Sequence, residues 1–293
     1  MYKPQKNLAS YIILLGLIIL NFGVFYFTKH SMSYTISIIL KILLVIFDIY
    51  QLYYIILGLS LNYEVGEEYM TIKGLYGLKT INIYYKDITG YNIQEEIDGI
   101  KLSGISFNNF IIGRCYIEKL GTTRMYTTSK DEVVYILTDK INFAITPAEV
   151  KKFEQALKEK GMKLIDNNER RNNEKVNLHR DKVFMIPLVI TTILSFIMVI
   201  VPFIYYLKGN LGETMPLSFD PSFNPTKIGT GKQFAFQQMM YGALNLALIF
   251  CMYFAAQINS KYDRKSSYKY IYIALAVAIT FMVLQIKIFS VYL

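Results

Sequence analysis

Hydrophobic and polar positions alternate on two very different scales along the chain. Five long apolar runs, roughly Leu8 to Phe27, Tyr34 to Leu61, Val183 to Leu207, Met239 to Ile258 and Tyr270 to the C-terminus, each hold enough residues to cross a membrane. A hydrocarbon core of roughly 30 Å needs about 20 residues at a rise of about 1.5 Å. The short polar break Lys29 to Ser33 predicts that the first two runs form an antiparallel hairpin. The first run follows Lys3 and Lys6 but is too long for a signal-peptide core and lacks a small-x-small cleavage site, so a retained helix is expected.

Between the second and third runs the scale changes. Tyr69 to Lys73, stopped by Gly74, and the alternating Thr80 to Tyr85 read as strands. Val133 to Leu137 is a short β-branched run of the kind buried on both faces, and Ile141 to Ile145 is a last strand candidate. Glycines and polar turns separate these pieces, which describes a small antiparallel sheet or barrel. A helix follows: Val150, Phe153 and Leu157 form its apolar stripe, and Gly161 is its C-terminal stop. Thr146, Pro147 and Glu149 spell a capping box at its start.

The expected fold is therefore a membrane α-helical bundle of about five transmembrane helices with an inserted cytoplasmic α+β domain. Its parts are a transmembrane hairpin over 1–61, the sheet domain over 62–161, a polar linker over 162–182, and a transmembrane region over 183–293 that contains an extracytoplasmic loop at 208–236. Of 293 residues, 53% are hydrophobic, and mean hydropathy is +0.31, too apolar for an ordinary soluble enzyme.

The net charge of +9 changes the picture less than its distribution does. Residues 60–182 hold 19 Lys and Arg against 18 Asp and Glu, so the excess flanks the apolar runs, as a topology signal does and a nucleic-acid footprint does not. With the N-terminus inside, thirteen Lys and Arg lie on cytoplasmic flanks and five outside. This places residues 62–182 in the cytoplasm and the 208–236 loop and the C-terminus outside a bacterial plasma membrane. Cys115 and Cys251 are expected in different compartments, which argues against a disulfide.

Candidate chemistry is sparse. Asp48 sits mid-span in the second run, with Lys41 seven residues earlier on about the same face. An ionisable residue at that depth marks either a functional site or a polar tie to residues such as Asn21, Asn245 and Gln285. His30 and His179 have no nucleophile or metal partner at motif spacing. Gly229-Thr230-Gly231-Lys232 lacks P-loop spacing. No enzyme, cofactor, metal site or nucleic-acid partner is expected.

The inserted stretch resembles the bacterial pleckstrin-homology-like (PH) domains. The likeness rests on Leu78-Lys79-Thr80-Ile81, the Asp87-Ile88 step, Phe110-Ile111-Ile112-Gly113-Arg114, Arg124-Met125-Tyr126-Thr127-Thr128 and Ala144-Ile145-Thr146-Pro147. It implies a seven-stranded sheet capped by one helix and used for binding. The basic first-hairpin loop of phosphoinositide-binding relatives has no counterpart: Lys73 and Lys79 read as solvated strand ends.

The loop pieces Glu213 to Asp220 and Asn224 to Lys232 resemble the extracytoplasmic loop of Sdp-type immunity and signalling membrane proteins. Pro216, Phe219, Pro225, Gly231 and Lys232 are kept, while Ser218 stands where a histidine is usual. With Asp220 and Asn224, the residues Pro216, Phe219 and Lys232 are the candidate ligand contacts, on a loop stiffened by three prolines. The function expected is a non-enzymatic sensor or peptide-toxin immunity protein that binds a protein or peptide partner through its PH-like domain, its outer loop or both. A proton-coupled transporter using Asp48 and a membrane-anchored lipid-binding scaffold are the alternatives.

Overall fold

The computed structural model describes every residue except 7, 31–32, 96, 98, 109, 130, 140, 166–176 and 293. Most of the polar linker, including its Asn167 to Asn173 stretch, lies outside the described residues. The chain folds as α1 (Ala9–His30), α2 (Tyr34–Leu59), β1 (Asn62–Val65), β2 (Tyr69–Gly74), β3 (Lys79–Tyr84), β4 (Ile88–Gln94), β5 (Gly99–Phe107) and β6 (Phe110–Ile117). It continues through β7 (Gly121–Thr127), β8 (Val133–Thr138), β9 (Asn142–Ile145), α3 (Val150–Glu159), α4 (Lys182–Leu207), β10 (Met215–Phe219), β11 (Pro225–Gly229), α5 (Gly231–Ser260) and α6 (Arg264–Tyr292). The five long helices α1, α2, α4, α5 and α6 are long and apolar enough to cross a membrane. Two compact units emerge: Met1–Leu20 with Ile46–Glu174, and Asn21–Val45 with Lys175–Leu293.

In the first unit, β1, β2 and β3 form one antiparallel sheet, and a six-stranded sheet runs β4-β8-β9-β7-β6-β5. The two sheets do not close into a barrel. Among the described residues this unit has nine strands in place of the expected seven, and β9 runs parallel to β7 because it returns into the gap between β7 and β8. As its sequence predicts, β8 is buried throughout. Val134 and Ile136 face the main core, while Val133, Tyr135 and Leu137 belong to a second cluster on the opposite face.

Helix α3 seats Val150, Phe153 and Leu157 on the main core, where each buried large side chain contributes roughly 2 kcal/mol. Gly161 ends it at φ +79°. Its start differs from the expected capping box. The helix begins at Val150, and Glu149 makes no side-chain cap. Thr146 is engaged elsewhere: its hydroxyl accepts from the Thr128 N–H at 2.9 Å. Residues 146–148 are paired with the N-terminal segment instead, through Gln5 N–H to Thr146 O and Ala148 N–H to Lys3 O, each 2.9 Å. Backbone pairing has claimed the residues a first helical turn would use.

The second half of α2 lies against this sheet unit. Gly58 permits the contact, since a Cβ there would stand 2.5 Å from the Phe110 ring. Tyr50 pins β5: its hydroxyl accepts from Gly104 N–H at 2.9 Å and donates to Gly104 O at 3.3 Å. Gly104 (φ +95°) and Gly113 (φ +149°) face each other across β5 and β6, where a Cβ on Gly113 would meet Ser103 O at 2.1 Å. Only glycine fits such a crossing.

The second unit is a bundle of α4, α5 and α6. Gly242 lets α5 approach α4 closely, because a Cβ there would reach Ser195 O at 2.7 Å. Gln285 of α6 donates to Met198 O at 3.1 Å and Gln238 O at 3.4 Å, linking the three helices. At one end, the buried Asp181 caps α4 through Val183 N–H at 3.0 Å and accepts from Arg264 Nε at 2.7 Å and from the Tyr268 hydroxyl. The Arg264 hydrogen bond, with those of Tyr268 and Val183, holds the Asp181 carboxyl at about 2 against its desolvation. Helix α5 starts eight residues before its apolar run, where Thr230 and Gln233 form a reciprocal capping box.

Candidate functional site

Two places gather residues whose chemistry the fold itself does not consume. The first is the segment between α4 and α5, whose β10 and β11 pair as an antiparallel hairpin. The inner strand packs down: Met215 and Phe219 join Phe234 and Ile288, flanked by Tyr34, Leu217 and Phe223. Phe219 and Phe223 stack at 4.6 Å. The ammonium of Lys287 sits 4.2 Å from the Phe223 ring and donates to the Tyr34 hydroxyl at 2.7 Å. Gln237 of α5 donates to Leu217 O at 2.5 Å.

The five candidate loop residues divide accordingly. Pro216 and Phe219 are buried in the hairpin's seat. Asp220 and Asn224 build the turn: Asp220 accepts from the N–H groups of Ser222 (2.9 Å) and Asn224 (2.8 Å) and from the Asn224 amide at 3.0 Å. These bonds, the Asn224 side chain first, lower the Asp220 carboxyl below its ordinary range. Ser218, at the position where the resembling loops carry histidine, pairs with the Thr226 hydroxyl at 2.9 Å. Lys232 is exposed in the first turn of α5, where the helix dipole does not favour a cation. Thr226, Lys227 and Ile228 of β11 are exposed, and the strand has β10 as its one sheet neighbour among the described residues.

The second place is a cleft of about 370 Å³ in the sheet unit, lined by Lys79, Arg114 and Arg124 together with Tyr54, Leu57 and Tyr126. Lys79 opens β3, and its Nζ donates to the Tyr53 hydroxyl at 2.7 Å. The same ammonium lies 5.3 Å from the Tyr53 ring and 5.5 Å from the Tyr126 ring. Arg114 and Arg124 are direct partners across β6 and β7, and the Arg124 guanidinium lies 5.8 Å from the Phe143 ring. Lys79 and Lys73 are both half-exposed at strand ends; Lys79 leans on Tyr53 and Tyr126, while Lys73 pairs with Glu64 at 2.6 Å. Sequence reasoning missed this cluster because 34 residues separate Lys79 from Arg114; only the recurrence of a cation in three PH-like motifs hinted at it.

Asp48 is half-buried and Lys41 exposed, both in α2. Asn245 and Gln285 make contacts of their own inside the helical bundle, Asn245 to Tyr241 O at 2.8 Å. Among the described residues no group of three His, Cys, Asp or Glu side chains gathers as a metal site. Both cysteines are free, and burial pushes the Cys115 thiol up to about 11.

A chain with five long apolar helices among its described residues, and an inserted, helix-capped pair of sheets, is a membrane protein carrying a PH-like domain. Residues 61–161 match the family described as the bacterial PH domain. Over 295 aligned residues the chain is 35% identical to an uncharacterized protein of Clostridium acetobutylicum, covering 99% of this chain and 98% of the other. The chain belongs to the same family as that protein, with its bacterial PH domain between the second and third long helices. No solved structure matches it.

Proposed function

We propose that this is a non-enzymatic membrane receptor of the sensor or immunity type, which captures an extended peptide on the extracytoplasmic β10–β11 hairpin. The observation that carries this reading is the edge of β11, exposed over four residues on a hairpin whose other strand is fixed to the bundle. An exposed strand edge offers unpaired backbone groups to an added strand, and alternate side chains set specificity. Because the seat is built from stacked rings and the Asp220 turn, little ordering is left to be done on binding. Lys227 and Lys232 favour a peptide with acidic residues. The excess of Lys and Arg beside the N-terminus and around the PH domain supports the orientation that puts this hairpin outside.

The test is photocrosslinking in living cells, with a benzoylphenylalanine at Ile228 and a control at Phe203. A peptide adduct at Ile228 that disappears when Lys227 and Thr226 are changed to Asp is the expected result. An Ile228 probe that gives only the lipid adducts of the Phe203 control sinks the reading.

A further inference from the structure

We propose that residues 2–5 fill a peptide-binding groove of the sheet unit as a built-in ligand, and that the vacated groove takes an extended partner segment with an aromatic residue two places before a proline. This is a second site, and it does not depend on peptide capture at the β10–β11 hairpin.

Three observations converge. The first is how residues 2–5 are held. They bridge β1, at the edge of the three-stranded sheet, to residues 146–148 beyond β9. Tyr2 and Tyr63 exchange both backbone hydrogen bonds, at 2.6 and 2.9 Å, while Gln5 N–H reaches Thr146 O and Ala148 N–H reaches Lys3 O, each at 2.9 Å. The Thr128 hydroxyl donates to Gln5 O at 2.7 Å, and the Gln5 amide donates to Asp131 O at 3.3 Å. Five of these six bonds use only the backbone of residues 2–5, which is how an added peptide strand is held, so a partner's segment can make them too. The second observation is side-chain selection. The Tyr2 ring meets Phe153 of α3 edge-on at 5.1 Å. Pro4 is bridged to Pro147, and the bonds run through the flanking Gln5 and Ala148. The groove asks for no N–H at that position, so proline fits there.

The third observation is that the segment is placed to leave. A cavity of about 540 Å³ opens beside it, lined by Lys3, Pro4 and Gln5 together with Tyr11, Gly58 and Phe110. One flank of the segment therefore borders open space. Within residues 2–5, Tyr2 is the side chain that packs on the main core, and it is only half-buried. Residues 6–8 alone separate Gln5 from Ala9, the first residue of α1, which is buried in the same core. A shift of α1 along its axis reaches the segment within three residues, so the first long helix is a handle on the groove. The tether keeps the built-in segment at a high effective concentration, and a partner must compete with it. The contact is thus autoinhibitory: the groove is offered only when the segment lifts.

Fluorescence anisotropy tests this in neutral detergent, with a fluorescein-labelled peptide reproducing residues 1–6 as the probe. The proteins are the full chain and a variant lacking residues 2–5. The deletion variant is expected to bind the peptide saturably and at least tenfold more tightly than the parent. A tenfold gain corresponds to a built-in segment that fills its groove about 90% of the time. A peptide of the same six residues in scrambled order should bind the deletion variant at least tenfold more weakly. T128V in the deletion variant should weaken the intact peptide several-fold, through the lost bond to the residue in the Gln5 position. If the deletion variant fails to fold, Y2A in the full chain decides, with a several-fold gain over the parent expected. Binding no tighter than the parent's in a folded deletion variant or in Y2A overturns the proposal. Equal binding of the scrambled peptide, or unchanged binding in T128V, overturns it as well.

Discussion

Asp181 in the helical bundle and Arg124 in the sheet unit are both polar residues drawn out of bulk water, yet their surroundings differ in kind. Asp181 is 4% exposed, and its two oxygens meet a guanidinium, a phenol and a helix N-terminus. Three hydrogen bonds answer its charge inside the fold. Arg124 stands beside a second arginine and over an aromatic ring, and meets no carboxylate among the described residues. A charge answered within the fold is structure, whereas a charge held by neutral groups next to its own kind is an expense the fold alone does not recover. The difference separates bracing from binding, and substitutions can break it.

The largest effect is expected at the braced end. Asp181→Ala removes the α4 cap and the carboxylate that Arg264 and Tyr268 share, leaving Arg264 only its 3.0 Å bond to the Tyr268 hydroxyl among the hydrogen bonds described for it. A loss of about 3 kcal/mol follows, read as a lowered thermal midpoint of the full chain in detergent. A loss under about 0.5 kcal/mol would mean that the cluster is ornamental. Next comes Gly58→Val. Its added carbons would enter the space of the Phe110 ring and cost about 2 kcal/mol by overpacking. An unchanged midpoint there would show that α2 does not dock tightly on the sheet.

The pH dependence sharpens the same contrast. With its carboxyl lowered from 3.8 to about 2, Asp181 contributes stability that is fully present above about pH 4 and is lost as pH falls through 2. The difference in midpoint between the parent and Asp181→Asn is therefore expected to stay constant from pH 7 to about 4.5 and to shrink below that. A difference already shrinking at pH 6 would assign the effect to another group.

How much of this was legible in the chain follows from the range of the interactions. Long apolar runs and the period of Val150, Phe153 and Leu157 are local patterns, and the structure keeps them as helices with the expected buried stripe. The run Val133 to Leu137 carried its two-sided burial in its composition. Thr146 misled because its hydroxyl is used by Thr128, and its backbone by Gln5, more than 100 residues upstream. Strands β5 and β6 escaped the pattern because Gly104 and Gly113 interrupt their alternation at the point where the two backbones must touch. The basic cleft was hidden for a related reason. Register brings Arg114 opposite Arg124, and no spacing rule within one segment reports a register.

The smallest effect is the one that tests the comparison most directly. Arg124→Gln removes a contact over the Phe143 ring, which is worth about 0.5–1 kcal/mol where partly exposed, and also removes the repulsion from Arg114, of similar size and opposite sign. The two nearly cancel, so the midpoint in lipid-free detergent is expected to stay within about 0.5 kcal/mol of the parent. If Arg124→Gln instead destabilises the lipid-free protein as much as Asp181→Ala does, the guanidinium braces the sheet. The two charges would then be alike after all.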